Sequence, residues 1–223
     1  MEISTRQFRD RAEAGRTLAE RLSDYAGRDD VVVLALPRGG VPVGFEVARA
    51  LDAPLDVFLV RKLGVPGHEE LAFGAIATGG TRVLNEQVVR SLDIPPEWIE
   101  AIDAKEMAEL ERRERAYRGD RPPPDLTGRT VILVDDGLAT GSTMAAAIRA
   151  ARQDEPERVI VAVPVAPPET AAMLRDEADD VITVLEPPMF GGVGAWYEDF
   201  TQTTDEEVEE LLDRAHQGFA HDD

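Results

Sequence analysis

Residues 131–143 read Val-Ile-Leu-Val-Asp-Asp-Gly-Leu-Ala-Thr-Gly-Ser-Thr. The four apolar residues suit a strand buried on both faces. Asp135 and Asp136 stand where that strand ends, and a turn of small and hydroxyl residues, Ala139, Thr140, Gly141, Ser142 and Thr143, leads into a helix. Carboxylates hold sugar hydroxyls or a hard cation such as Mg²⁺. Unpaired N–H groups at a helix start hold phosphate. Side by side they suit a ligand that is both a sugar and a phosphate. The plainer reading of Asp135 and Asp136, a capping or solvated pair, leaves the hydroxyl-rich turn unexplained.

Working outward, runs 31–36, 55–60, 130–135 and 158–163 read as strands buried on both faces, with a fifth at 181–185. Helical segments near 41–51, 141–154 and 168–177 separate several of them. Such alternation predicts an α/β fold built on an open, mostly parallel, doubly wound sheet. An amphipathic helix is expected over 6–26, with Phe8, Ala12, Leu18 and Leu22 among its apolar positions. Residues 72–84 read as a hairpin turning at Gly79-Gly80. Residues 97–118 form a long charged helix, an insertion or an oligomer contact, with Glu109–Arg113, Glu111–Arg115 and Glu114–Arg118 as i,i+4 pairs. Trp98, Ile102 and Leu110 are expected to dock it, Pro122-Pro123-Pro124 to end it, and the tail after Leu212 to fray.

Ligands of open α/β sheets sit outside the carboxyl ends of the strands. Here those ends carry Pro37-Arg38-Gly39-Gly40, then Arg61-Lys62, then the Asp-Asp run, then Pro164, then Glu186-Pro187-Pro188-Met189-Phe190-Gly191-Gly192. Arg38-Gly39-Gly40 reads either as a tight turn or as an anion nest. Arg61-Lys62 reads either as two solvated charges or as cations of a functional loop. Trp196 and Tyr197 suit core packing as well as stacking on a ligand. His68, His216 and His221 read as surface or tail residues.

The 223 residues carry 24 Lys and Arg against 44 Asp and Glu, a net charge of −20, and the two lysines are Lys62 and Lys105. A chain so acidic is a poor partner for nucleic acid. Acidity with scarce lysine points to adaptation to high salt, where screening eases carboxylate repulsion; an ordinary acidic cytosolic protein is the alternative. The absence of cysteine removes disulfides and thiol chemistry. No apolar run is long enough to span a membrane, and the polar start is unlike a signal peptide. A cytoplasmic protein is expected.

The run at 131–143 resembles the phosphoribosyl-pyrophosphate (PRPP) signature of type I phosphoribosyltransferases: apolar strand, two acids, then Thr-Gly-x-Thr. The chain is most similar to a group of predicted phosphoribosyltransferases with three further motifs, present at Phe8–Arg11 (Phe-x-Asp-Arg), Arg61–Gly67 (Arg-Lys-Leu-Gly-Val-Pro-Gly) and Trp196–Phe200 (Trp-Tyr-x-Asp-Phe). The resemblance implies one phosphoribosyltransferase domain over 1–223, with a flexible loop and hairpin about 61–84, an inserted helix about 97–118 and a hood about 186–200.

It implies that Ala139, Thr140, Gly141, Ser142 and Thr143 hold the 5-phosphate. Asp135 and Asp136 hold the ribose hydroxyls, directly or through Mg²⁺. Arg38, Gly39, Gly40, Arg61 and Lys62 hold the pyrophosphate, in a loop where a non-proline cis peptide is common. Phe190, Trp196 and Tyr197 would face a small nitrogenous acceptor. Asp135, Asp136, Arg38 and Lys62 would carry the chemistry, and a homodimer is common in the fold. Two departures bear on the acceptor. Ala139 stands where some members carry an Asp that interacts with the base, and Pro164-Val165-Ala166-Pro167 lacks the Lys of many 6-oxopurine enzymes. No general base is assigned. The alternative to an enzyme is a PRPP- or nucleotide-sensing module of the same fold. A P-loop is excluded, because Gly-x-x-x-x-Gly-Lys-Ser/Thr is absent.

Overall fold

The computed structural model describes residues 7–65 and 68–219. Strands β1 (Val31–Ala35), β2 (Leu55–Val57), β6 (Thr130–Val134), β7 (Arg158–Val165) and β8 (Asp180–Leu185) form one sheet, in the order β2-β1-β6-β7-β8. Every pairing in it is parallel. β3 (Val60–Val65), β4 (His68–Ala77) and β5 (Thr81–Leu84) form a second, antiparallel sheet. The helices are α1 (Arg11–Arg21), α2 (Gly40–Leu51), α3 (Glu86–Ser91), α4 (Pro96–Arg118), α5 (Ser142–Ala151), α6 (Pro168–Arg175) and α7 (Asp205–His216).

Alternation along β1 shows why both sheet faces are covered. Val31, Val33 and Ala35 join one core with Leu18 and Leu22, α2 and α7. Val32, Leu34 and Leu36 join a second core with α5 and α6. A strand apolar at every position therefore needs helices on both sides. The doubly wound parallel sheet expected from the sequence is the observed fold.

Several boundaries differ from expectation. The run 55–60 breaks after Val57, and Val60 starts the antiparallel sheet instead. Much of the flexible loop expected at the start of 61–84 is strand: Leu63 pairs with Gly74 and Gly64 with Ala72. The first helix starts at Arg11, where Asp10 accepts the Glu13 N–H at 2.7 Å as its N-cap. Phe8 thus lies outside the helix, in a parallel bridge to Tyr197. Beyond Leu212, residues 213–216 complete α7, whose Val208 and Leu212 are fully buried, and residues 220–223 lie outside the described residues. Burying a Val or Leu contributes about 1.5–3 kcal/mol, enough to fix a short amphipathic helix. Pro66, Gly67 and His221 lie outside the described residues.

Helix α4 crosses from the antiparallel sheet to α7. Leu110 is fully buried, whereas Trp98 is 49% exposed and does not dock as expected. All three expected i,i+4 pairs form. Its firmest anchor is Arg118, whose side chain is 3% exposed. Arg118 donates to Asp56 (2.8 Å), to the Val57 carbonyl (2.5 Å) and to Glu114 (3.1 Å). Removing one partner of a buried pair strands the other and costs about 3–5 kcal/mol. Arg118→Met should therefore lower unfolding stability by about that amount in a urea titration. Exposed Arg115→Met should change it by less than about 0.5 kcal/mol.

Candidate active site

The register of β1 and β6 sets the site. Ala35 lies opposite Val134, and the Leu36 N–H donates to the Val134 carbonyl at 2.8 Å. The loop after β1 and the acid pair after β6 therefore emerge side by side. The contact is close enough to require glycine. A Cβ on Gly39 would fall 2.1 Å from Asp136 Oδ2, and one on Gly40 would fall 2.8 Å from the Val134 carbonyl. The Pro37–Arg38 peptide is cis. Among the described residues, the N–H groups of Arg38 and Gly39 have no hydrogen-bond partner. They remain open to an anion.

The hydroxyl turn forms the other edge. Gly141 caps α5 with φ +72°, and a Cβ there would meet Thr170 Cγ2 at 2.8 Å. Thr170, from α6, donates to the Ala139 carbonyl at 2.6 Å and fixes the turn from below. Ala139, Thr140, Ser142 and Thr143 stay exposed. The Ser142 N–H donates to Thr140 Oγ1 at 3.4 Å, and the turn stands at the positive end of α5.

The two cations of the second loop part company. Neighbours on a strand point to opposite faces. Lys62 Nζ reaches Ser142 Oγ at 3.4 Å, over the hydroxyl turn. Arg61 instead pairs with Glu106 of α4 at 2.5 Å, which corrects its expected place beside Lys62 at the pyrophosphate. Clefts of about 620 and 600 Å³ flank Lys62, one lined by Thr140 and Ser142, the other by Thr143. Arg38 also turns outward, 3.8 Å from Asp205 of α7, into a small cavity with Arg112, Arg113 and Tyr117. Its side chain does not face the acids; its backbone does.

Trp196 and Tyr197 are buried and not presented to an acceptor, which corrects their expected role. Trp196 is buried and donates to the Phe190 carbonyl at 2.9 Å. Tyr197 is 4% exposed and donates to the Asp136 carbonyl at 2.6 Å. Burial, with the Asp136 charge adding to it, pushes the Tyr197 hydroxyl well above its ordinary value, so it stays a donor. Of the three expected acceptor contacts, Phe190 alone is half-buried. Val193 packs against Gly137, where a Cβ would meet it at 2.7 Å.

One site residue escaped the sequence reading. Arg11, the first residue of α1, donates from Nε to Asp136 Oδ2 at 2.8 Å and from Nη1 to the Thr201 carbonyl at 2.6 Å. Its guanidinium lies 4.1 Å from the centre of the Phe200 ring. The signal was present, since Phe-x-Asp-Arg and Trp-Tyr-x-Asp-Phe are the motifs that carry these residues. Nothing in either motif says that they meet at Asp136.

Burial raises the carboxyls of both acids above the ordinary range. For Asp135 the neighbouring Asp136 charge adds to it; for Asp136 the Arg11 guanidinium opposes it. The unfolded chain titrates Asp near pH 3.9. A raised folded-state value means that the folded protein holds its proton longer. Stability is then greatest below about pH 4 for this group and falls as pH rises through the raised value. Asn at 135 cannot ionise, yet its Oδ1 can still accept the Asp136 N–H that Asp135 accepts at 2.8 Å. Asp135→Asn should melt higher than the unsubstituted protein at pH 8. The difference should vanish towards about pH 4. A difference independent of pH would contradict this electrostatic account.

The model of the phosphoribosyl transferase domain matches residues 5–199. A Mycobacterium tuberculosis protein whose name assigns it provisionally to the phosphoribosyl transferases is 50% identical over 213 residues. The match covers 96% of this chain and 48% of that protein. The chain thus spans about half the length of that relative. A Chloroflexus aurantiacus protein named bifunctional protein PyrR is 35% identical over 136 residues, 56% of this chain and 65% of its own. The crystal structure of TT1426 from Thermus thermophilus superposes with a TM-score of 0.84 at 47% identity. It covers 92% of this chain and 97% of that one. The family model spans most of the chain, and the chain belongs to the phosphoribosyl transferase domain family.

Proposed function

We propose that the chain transfers the 5-phosphoribosyl group of PRPP to a nitrogen acceptor, releasing pyrophosphate, with Mg²⁺ as cofactor. The observation that carries this reading is the contact between Gly39 and Asp136. It brings a loop with two open N–H groups and a carboxylate within the span of one PRPP molecule, which supports this reading. Ribose hydroxyls would lie on Asp135 and Asp136, the 5-phosphate on the turn 139–143, and the pyrophosphate on the N–H groups of Arg38 and Gly39, since the Gly40 N–H donates to the Leu36 carbonyl.

Asp135 and Asp136 fit Mg²⁺. Both offer hard oxygen donors, and each keeps one oxygen not engaged by the Asp136 N–H or by Arg11. Among the described residues no cluster of three or more metal-ligating side chains exists. That suits an ion held by one or two carboxylates together with substrate oxygens. When bound, Mg²⁺ neutralises charge on the pyrophosphate.

The reaction breaks the bond between C1 of the ribose and the pyrophosphate oxygen, which leaves with the electron pair. The acceptor nitrogen donates its lone pair to C1 and then loses its proton. The transition state has oxocarbenium character, and Asp135 and Asp136 face the charge that develops on the sugar. Lys62, close to the hydroxyl turn and on a hairpin, is suited to move onto the leaving anion. The hairpin 60–77 is the element suited to exclude water. Phe190 and Val193 border the acceptor side. No general base is assigned, because Ala139 offers none.

A screen of purine, pyrimidine and other nitrogen acceptors with PRPP and Mg²⁺, in low and high salt, should show pyrophosphate release with one acceptor class. Tight PRPP binding without release by any acceptor would instead support a sensing module. In the active system Lys62→Ala should slow turnover more than it weakens binding of the nucleotide product. Equal effects would remove the leaving-group role. Asp136→Asn should lose turnover while remaining folded by circular dichroism, and normal turnover would remove the ribose role.

A further inference from the structure

Asp136 is gripped at both ends by segments distant in sequence. Its carboxylate Oδ2 accepts from Arg11 Nε at 2.8 Å, and its carbonyl accepts from the Tyr197 hydroxyl at 2.6 Å. The two arms are joined to each other. Phe8 bridges Tyr197, with ring centres 5.6 Å apart. The Phe8 N–H donates to the Trp196 carbonyl at 2.8 Å, and the Asp199 N–H donates to the Arg9 carbonyl at 2.9 Å. Arg11 is held in turn by the Phe200 ring and the Thr201 carbonyl.

The geometry points to Arg11 as a positioning residue for the donor sugar: it fixes the Asp136 carboxylate against the anion loop, so that the ribose and pyrophosphate halves of the site keep one spacing. This inference rests on the function proposed above and adds a residue to it. Three observations support it over mere packing. The side chains of Arg11 and Asp136 are 11% and 13% exposed. A pair so buried contributes little net stability compared with apolar residues of the same volume. The pair also touches the anion loop directly, since a Cβ on Gly39 would meet Asp136 Oδ2 at 2.1 Å and Arg11 Nε at 3.3 Å. Finally, the Arg11 bond leaves Asp136 Oδ1 as the oxygen without a partner among the described residues, which sets the face that a ligand meets. An ammonium at this place could not reach both Asp136 and Thr201, because it lacks the planar fork of guanidinium.

The test is steady-state kinetics on Arg11→Ala and Arg11→Lys with PRPP, Mg²⁺ and the acceptor found by the screen, on the full chain. Partners that orient a ligating group typically change affinity or activity by about 10–100-fold. Arg11→Ala should lower kcat/KM for PRPP by about that factor, leave KM for the acceptor unchanged, and recover in non-denaturing guanidinium. Arg11→Lys should fall between. A structural role alone would reduce the fraction of active protein: kcat would drop, both KM values would hold, and guanidinium would not rescue. That outcome, or wild-type kinetics in a folded Arg11→Ala, overturns the inference. If Arg11→Ala does not fold, Arg11→Lys decides: a raised KM for PRPP supports the inference and wild-type kinetics overturns it. An unsubstituted protein that neither binds nor turns over PRPP overturns the proposed function and this inference with it. An active protein indifferent to Arg11 overturns the inference alone.

Discussion

The parallel hydrogen bonding between β1 and β6 is the constraint on which the site depends. Two strands of five residues run in step from Val31 opposite Thr130 to Ala35 opposite Val134. Whatever follows each strand must emerge at the same height and one strand spacing apart, about 4.8 Å. After β1 comes a loop with open N–H groups, and after β6 come two carboxylates. Glycines at 39 and 40 let the two approach until no side chain fits between them. A register slip would part them and would also turn each strand's apolar set towards the wrong core. Burial of both sheet faces therefore holds the site geometry as firmly as it holds the fold.

The electrostatics follow from that packing. The chain is strongly acidic, yet at the site two acids are crowded and partly desolvated. Such a pair favours anything that brings positive charge, whether a divalent ion, a sugar acquiring cationic character, or Arg11. Arg11 takes Oδ2 of Asp136 and leaves Oδ1 without a partner among the described residues. Lys62 is the lysine that approaches the hydroxyl turn. Much of the remaining positive charge, including Arg61, Arg112, Arg113 and Arg118, is tied up in ion pairs on or beside α4. That helix organises structure at a distance from the acids. The cavity it forms with Arg38 and Asp205 is lined by neither acid.

Local chemistry in the sequence is enough for the central strands and for an acid pair that leads into a hydroxyl-rich turn. Runs such as Val31–Leu36 admit no exposed face, and Asp135-Asp136 before Thr140–Thr143 names its own chemistry. Where competing local signals were close, the reading slipped. Val57–Val60 is continuously apolar, yet the chain leaves one sheet and starts another there, because Val60 pairs with Ala77, a partner that the apolar run itself does not name. Phe8 suited a helix by spacing, but a bridge to Tyr197 won. Arg61 and Lys62 looked alike until strand alternation sent them to opposite faces. Trp196 and Tyr197 could stack or pack, and their hydrogen bonds to Phe190 and Asp136 decided for packing. Arg11 was invisible as a site residue because its partner lies 125 positions away. Such contacts are fixed by the assembled fold and not by any window of sequence.

The central claim is that the loop after β1 and the acids after β6 form one donor site. A crystal structure of the protein with PRPP and Mg²⁺ tests it most directly. The account predicts a single PRPP with its 5-phosphate on the turn 139–143, its ribose hydroxyls on Asp135 and Asp136, and its pyrophosphate on the backbone of Arg38 and Gly39. PRPP bound with its pyrophosphate elsewhere, such as in the arginine-lined cavity between α4 and α7, or with its ribose away from the acid pair, would contradict it.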